Sequence, residues 1–81
     1  NHGTLSCGEN VSSAFLNIYL LERACSMQVR ALSGGAELNM PSTDAIQTVA
    51  NQISDTNLPL AELAWPALLR MLDAQDRTYR D

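Results

Sequence analysis

The sequence predicts a small, mainly helical segment with three helices and one or two short strands, at Thr4–Cys7 and Glu37–Met40. Two observations favour this architecture: apolar residues recur every three or four positions over long stretches, and turn-forming residues separate those stretches. The chain has 81 residues, of which 46% are hydrophobic and 17% are charged. This composition is typical of a globular chain with at most one small domain.

The first helix is predicted to begin after Asn10, whose side chain can accept a backbone N–H, and to end at Ser33-Gly34-Gly35. Ser13 occupies the third helical position, where a glutamate would complete a capping box. Two almost opposite faces are apolar: Val11, Ala14, Phe15, Ile18, Cys25, Val29 and Leu32 on one, and Leu16, Leu20, Met27 and Ala31 on the other. Because such a helix must be covered on two sides, we expect these residues to pack against further protein.

The second helix is predicted to begin after Ser42, a suitable N-cap, with Asp44 favourably placed in its first turn. Asp55-Thr56-Asn57 is predicted to end this helix, because these residues are typical of turns. Its buried face is predicted to consist of Ile46, Val49, Ala50 and Ile53.

The third helix is predicted to have Trp65 at its boundary and Pro66 at its first position, where proline's missing N–H costs nothing. The alternative is a short turn from Leu60 to Ala64 before the proline. In the preferred interpretation, one side of the helix is lined by Trp65, Leu68, Leu69 and Leu72.

The charge pattern excludes several classes of partner. The formal net charge is −4, and the five basic residues form no cluster, which argues against nucleic acid. No apolar run approaches the roughly 18 residues of a membrane span, and the first residues do not resemble a signal peptide.

Cys7 and Cys25 fit no metal or redox motif. We expect two buried, reduced thiols in a cytoplasmic protein, with a disulfide between them as the alternative.

His2 is the only histidine. A lone histidine is more often a surface or hydrogen-bonded residue than a metal ligand, and a zinc site normally takes three or four protein ligands. The position of His2, at the end of a predicted strand and before Gly3, nevertheless suits a ligand presented at the edge of a sheet.

A resemblance to a known family rests on several motifs at matching separations. The family shows Asn-His-Gly, an apolar pair, a glycine, and then a helix with Ala-Phe and Leu-Glu-x-Ala-Cys. The matching residues are Asn1-His2-Gly3, Leu5, Gly8, Ala14-Phe15 and Leu21-Glu22-Arg23-Ala24-Cys25. This stretch resembles the part of class II aldolase/adducin-family domains that follows their third metal-binding histidine. The ending "WPALLRMLDAQDRTYRD" is similar to the C-terminal tail of bacterial adducin-like members.

The resemblance implies that residues 1–81 are the C-terminal segment of one αβα domain about three times as long. Such domains have an α/β fold with a mostly antiparallel sheet and usually form homotetramers. Residue 1 then resembles a cut edge, and the rest of the domain is a partner of this segment. The resemblance also implies a divalent metal, most commonly zinc, held by His2 and by an upstream His-x-His pair. The implied activity is that of a lyase that acts on a small sugar-like or sugar-phosphate-like carbonyl compound through a metal-stabilised enediolate.

Two further residues have competing interpretations. Glu22 lies on the apolar stripe of the first helix, so we expect a buried carboxylate that is either satisfied by local hydrogen bonds or orients a ligating histidine. Tyr79 is the one catalytic candidate, because some family members use a C-terminal tyrosine near a neighbouring active site. The alternative for Tyr79 is a frayed terminus.

Two other functions remain open at this point. One is a non-catalytic scaffold of the adducin type, whose metal site is empty or degenerate. The other is a stand-alone helical interaction module. The sequence does not identify the substrate or distinguish an aldolase from an epimerase.

Overall fold

The computed structural model describes residues 2–80 and contains two α-helices and one 3₁₀-helix. Helix α1 spans Val11–Ser33, helix α2 spans Thr43–Gln75, and the 3₁₀-helix spans Thr78–Arg80. The first third of α1 lies against the middle of α2, where Leu16 and Ala61 are buried. The segment is therefore mainly helical, as predicted.

The two predicted strands, Thr4–Cys7 and Glu37–Met40, are wrong for residues 2–80, because neither adopts strand structure there. A strand forms only when a second strand accepts and donates its backbone hydrogen bonds. No such neighbour exists within the described part of the chain. The α/β fold that the resemblance implies consequently remains an expectation about the larger domain.

Helix α1 begins with a reciprocal pair of hydrogen bonds. The Oδ1 atom of Asn10 accepts the Ser13 backbone N–H at 2.9 Å, and the Ser13 Oγ accepts the Asn10 backbone N–H at 3.1 Å. The predicted Asn10 cap is confirmed. Ser13 completes the capping box that was expected to need a glutamate, because a hydroxyl oxygen can also accept a hydrogen bond.

Helix α1 ends at Ser33, followed by Gly34 and Gly35, as predicted from the sequence. Gly34 has helical geometry, with φ of −74°, and Gly35 is left-handed, with φ of +67°. The Gly35 N–H donates to the Leu32 carbonyl at 3.2 Å. Glycine reaches positive φ without steric cost, so the chain can turn away from the helix axis at this point.

Helix α2 begins at the predicted cap but does not end where the sequence predicted. The Ser42 Oγ accepts the Ala45 N–H at 3.2 Å, which confirms this cap. The helix then continues through Asp55–Asn57 to Gln75, so the predicted break and the predicted start of a third helix at Pro66 are wrong. The Thr56 hydroxyl donates to the Gln52 carbonyl at 2.8 Å, a local bond that a helix tolerates.

Two prolines, Pro59 and Pro66, lie inside α2. Proline has no N–H, so each one leaves the carbonyl four residues earlier, at Asp55 and Glu62, without its helical donor. All four residues are exposed, so water can hydrogen-bond the two carbonyls. The penalty for a proline in the helix interior is therefore reduced on this side of α2, while the opposite side packs on α1.

The contact between α1 and α2 is small and aromatic at its centre. The Phe15 and Trp65 rings lie 5.6 Å apart between centroids and are tilted by 59°. Around them, the side of α2 that faces α1 has partly or fully buried residues at helical spacing: Leu58, Ala61, Trp65 and Leu68. This spacing of three and four residues is the pattern of a helix that covers one partner.

Most other apolar residues of the two helices are uncovered. The predicted buried face of the second helix is exposed in the described segment, as is every residue of α1 from Leu21 onwards. The radius of gyration is 16.3 Å, whereas a compact domain of this length has about 12 Å. The accessible surface is 7004 Å², against about 4,800 Å² for a compact chain of this mass. The described residues therefore leave large apolar surfaces available for further protein.

We expect Asn10→Ala to lower the free energy of unfolding by about 1 kcal/mol, because the substitution removes the acceptor for the Ser13 N–H. Asn10→Asp is the matched control, since aspartate keeps an acceptor oxygen and places a negative charge at the helix N-terminus. Denaturant unfolding of the intact protein measures both changes. An equal loss of stability in the two variants would contradict the capping role.

Candidate functional site

The segment that carries His2, residues 2–10, precedes α1 and is called the N-terminal segment below. Two hydrogen bonds attach it to the helix. The Ser6 Oγ donates to the Ala14 carbonyl at 3.1 Å, and the Asn17 Nδ2 donates to the Cys7 carbonyl at 3.0 Å. The attachment is therefore made at residues 6 and 7, four or five positions after His2.

Gly8 completes this attachment by close packing. A Cβ atom at this position would lie 2.5 Å from the Ala14 backbone nitrogen and 2.5 Å from the Ser13 Oγ. Carbon atoms in proteins do not approach backbone atoms so closely, so any larger residue would push the N-terminal segment away from α1. The glycine quoted in the family resemblance thus has a steric reason in this segment.

His2 itself is exposed, and the residue after it has a conformation that glycine adopts readily. Gly3 has φ of +130°, and a Cβ atom placed on it would have no neighbour within 4 Å. The backbone conformation, and not crowding, is therefore what favours glycine here, because other residues rarely occupy this region. The imidazole of His2 is consequently accessible to a metal ion, at a point where the backbone can change direction.

The described residues do not form a metal site by themselves. Within residues 2–80, no group of three or more His, Cys, Asp or Glu side chains is arranged to hold a metal ion. An exposed imidazole fits one ligand position of a zinc site, which requires two or three more protein ligands. Those ligands would have to come from outside this segment.

The two cysteines are both free and exposed, so the prediction that they are buried is wrong for this segment. Cys25 lies on the part of α1 that α2 does not reach, and Cys7 lies in the N-terminal segment. Both thiols are free in this segment, and their redox state stays a prediction.

Glu22 is also exposed in the described segment, contrary to the prediction of a buried carboxylate. The apolar stripe on which it lies is uncovered beyond Leu20, which explains the difference. Its two proposed roles, local satisfaction or orientation of a ligating histidine, stay predictions about the larger domain.

Tyr79 lies in a hydrogen-bonded cluster with Asp73 and Arg80. The Tyr79 hydroxyl donates to the Asp73 Oδ1 at 2.8 Å, and the Arg80 Nε donates to the Tyr79 oxygen at 3.1 Å. An ion pair of 2.6 Å joins the Arg80 Nη2 to the Asp73 Oδ2. The hydrogen bond to Tyr79 and the charge of Asp73 raise the pKa of Arg80. The tyrosine is thus tied to α2 rather than frayed, although its catalytic role stays a prediction.

Asp76 begins the turn that brings Tyr79 back to α2. Its Oδ1 accepts the Thr78 backbone N–H at 2.9 Å, and its Oδ2 accepts the Thr78 hydroxyl at 2.9 Å. These two bonds, the backbone one first, hold the pKa of Asp76 below its usual value. Hydrogen bonds to the ionised form of a carboxyl group stabilise that form.

Sequence reasoning missed the polar pair that connects the N-terminal segment to both helices. The Asn57 Nδ2 donates to the Asn17 Oδ1 at 3.2 Å, and Asn17 in turn bonds Cys7. Asn57 belongs to the stretch that was predicted to end the second helix, and Asn17 had no predicted role. Their contact joins residues forty positions apart, and no periodicity within one helix encodes such a distance.

Comparison with known proteins bears on the family. The chain is 44% identical, over 99% of its length, to a Pseudomonas aeruginosa protein named "Putative aldolase class 2 protein". It is 42% identical, over 100% of its length, to a Caulobacter vibrioides protein of the same name. The chain is homologous to proteins that carry the name "aldolase class 2". The resemblance found in the sequence is confirmed at this level.

The chain spans about a third of the length of these curated relatives, since each match covers 32% of the relative. No protein-family model matches the chain, and no solved structure matches it. In the described residues, no helix is both long enough and apolar enough to cross a membrane.

We expect Gly8→Ala to destabilise the protein by about 1–3 kcal/mol, because the new Cβ collides with the first turn of α1. Gly34→Ala is the matched control. A Cβ there meets only the Ala31 carbonyl at 3.7 Å, in a helical conformation that alanine adopts readily, so the change should stay below about 1 kcal/mol. Thermal unfolding of both variants tests the packing, and equal destabilisation would contradict it.

The lowered pKa of Asp76 predicts how the tail responds to acid. The turn is stabilised fully above the usual aspartate pKa of 3.8 and loses this stabilisation as the pH falls through the lower value in the folded protein. NMR titration of the Thr78 amide should therefore show a midpoint below 3.8. Asp76→Asn should remove this midpoint, and a midpoint at or above 3.8 in the unmodified protein would contradict the hydrogen bonds.

Proposed function

We propose that this chain is part of a divalent-metal-dependent lyase of the class 2 aldolase type, in which His2 is one metal ligand. The observation that carries the proposal is homology along the whole chain to two proteins whose names contain the words "aldolase class 2", together with an accessible imidazole at residue 2. The proposed substrate is a small hydroxylated carbonyl compound of the sugar or sugar-phosphate type.

In this proposal, the chain's own residues present and orient the ligand. The imidazole of His2 donates a nitrogen lone pair, and Gly3 lets the backbone turn directly after it. Ser6, Gly8 and Asn17 fix the other end of the N-terminal segment to α1. When bound, the metal, with zinc the first candidate, would act as a Lewis acid that polarises the substrate's oxygens.

Further protein is part of the proposal for two reasons. A zinc site needs ligands beyond His2, and the apolar faces of α1 and α2 need a covering that residues 2–80 do not provide. We propose that the rest of the same domain supplies both, with a homotetramer as the assembly. The uncovered surface also weighs against the stand-alone helical module, because an isolated chain would expose these side chains to water.

Tyr79 is a second proposed participant in the reaction. Its hydroxyl donates a hydrogen bond to the Asp73 carboxylate and accepts one from the Arg80 guanidinium. This arrangement holds the phenol in one orientation, which a tyrosine that delivers or removes a proton requires. Access of a substrate to this phenol depends on protein outside this segment.

We expect His2→Ala to weaken zinc binding to the intact protein by at least about 100-fold, since loss of one of three or four ligands removes a metal–nitrogen bond. Thr4→Ala, an exposed neighbour in the same segment, is the control and should leave the affinity unchanged. Competition with a chromophoric chelator measures both affinities.

The same experiment distinguishes the alternatives. If the unmodified protein binds zinc and cleaves hydroxylated carbonyl compounds, and His2→Ala loses both properties, the enzyme proposal is supported. Absence of zinc binding in the unmodified intact protein would instead favour the adducin-type scaffold. Tight zinc binding that His2→Ala does not change would overturn the assignment of the ligand.

A further inference from the structure

We infer that Asn17 and Asn57, called the amide pair below, are positioning residues for the segment that carries His2. The inference rests on the proposed function for the identity of the ligand. Its structural basis is a chain of two hydrogen bonds that joins three elements: Asn57 on α2 donates to Asn17 on α1, and Asn17 donates to the Cys7 carbonyl in the N-terminal segment.

Asn17 accepts one of the two hydrogen bonds and donates the other, so the orientation of its amide group matters. Asn17 uses its oxygen as the acceptor for Asn57 and its nitrogen as the donor for Cys7. An amide side chain can make both bonds in one orientation only, because the carbonyl of Cys7 cannot donate. The donor on Asn57 therefore stabilises the orientation of Asn17 that holds the N-terminal segment.

The amide pair lies between the two helices, next to the N-terminal segment. Both residues are half-buried and line the same hollow between the helices, together with Gly8, Ser13 and Leu58. Among the described residues, the Asn57–Asn17 bond links the two helices through polar side chains, whereas the Phe15–Trp65 contact between the same helices is apolar. A hydrogen bond, unlike an apolar contact, fixes the relative orientation of its partners.

A small rotation at the attachment has a large effect at His2. His2 lies five positions before Cys7, and this stretch of chain spans at most about 18 Å. Over that length, a rotation of about 10° displaces the end of the segment by about 3 Å, whereas metal–ligand distances tolerate only about 0.2 Å. The amide pair contributes to the orientation of the attachment, together with Ser6 and Gly8, and therefore affects whether the imidazole reaches a metal held by other ligands.

Asn57→Asp provides the sharpest test, because it changes the donor to an acceptor at almost constant volume. Asn17 can then face the new carboxylate only with its nitrogen, which turns its oxygen towards the Cys7 carbonyl and removes that bond. Asn57→Ala removes the donor outright. Asn51→Asp is the control for the added charge, because Asn51 lies in the exposed first half of α2 and its Oδ1 accepts a hydrogen bond from Gln47, on the same helix, at 3.0 Å.

Two measurements on the intact protein are needed. Hydrogen–deuterium exchange of a peptide that covers residues 2–10 should accelerate about fivefold in Asn57→Asp and Asn57→Ala, because an attachment bond is lost. Zinc affinity, measured with zinc ions alone against a chelator, should fall about tenfold in the same variants. Asn51→Asp should change neither quantity, and far-UV circular dichroism should show the same helix content in all variants.

The outcomes separate this inference from the proposed function. Unchanged exchange in Asn57→Asp would overturn the inference, whatever the zinc affinity. Faster exchange with unchanged zinc affinity would also overturn it, provided that His2→Ala weakens zinc binding. If His2→Ala has no effect on zinc, the proposed function fails, while faster exchange would still identify the amide pair as the attachment that orders the N-terminal segment.

Discussion

The structure depends on one small contact, in which the first third of α1 rests on the middle of α2. Leu16 and Ala61 are the apolar residues buried there, and the tilted rings of Phe15 and Trp65 pack against each other beside them. Two other features of the described chain lie next to this crossing. The capping box at Asn10 begins α1 just before it, and Gly8 places the N-terminal segment against the same turns. Helices of this length gain most of their stability from packing, so a contact this limited leaves the remaining turns dependent on other protein.

The N-terminal segment shows how chemistry and fold are connected in this chain. Its attachment uses a serine hydroxyl, an asparagine amide and a glycine, each of which bonds or packs against the backbone of its neighbour. Backbone contacts of this kind fix position without requiring a large side chain. The imidazole at residue 2 therefore remains free for a ligand while the residues after it are held. A held backbone next to an accessible side chain is typical of residues that serve a site assembled from several parts of a protein.

The features predicted well from the sequence are those whose physics is local. The caps at Asn10 and Ser42 and the glycine turn at Gly35 depend on residues within four positions of one another, and all three are present. The strands failed because strand pairing is not local. The break at Asp55–Asn57 failed because the apolar stripe through Leu58, Ala61 and Trp65 packs on α1 and overrides the turn preference. The link between Asn17 and Asn57 could not be found for the same reason. The family was indicated by motifs in the sequence, and the homologues agree with it.

The two prolines of α2 have a geometric consequence for the larger domain. Seven residues are almost two full turns, so Pro59 and Pro66 lie nearly above one another along the helix. Bends that prolines introduce on the same side add together instead of cancelling. We therefore expect the 33-residue helix α2 to curve, with its concave side away from the proline rings. A curved rod can follow the outside of a rounded body over its whole length, whereas a straight one would touch that body at a single point.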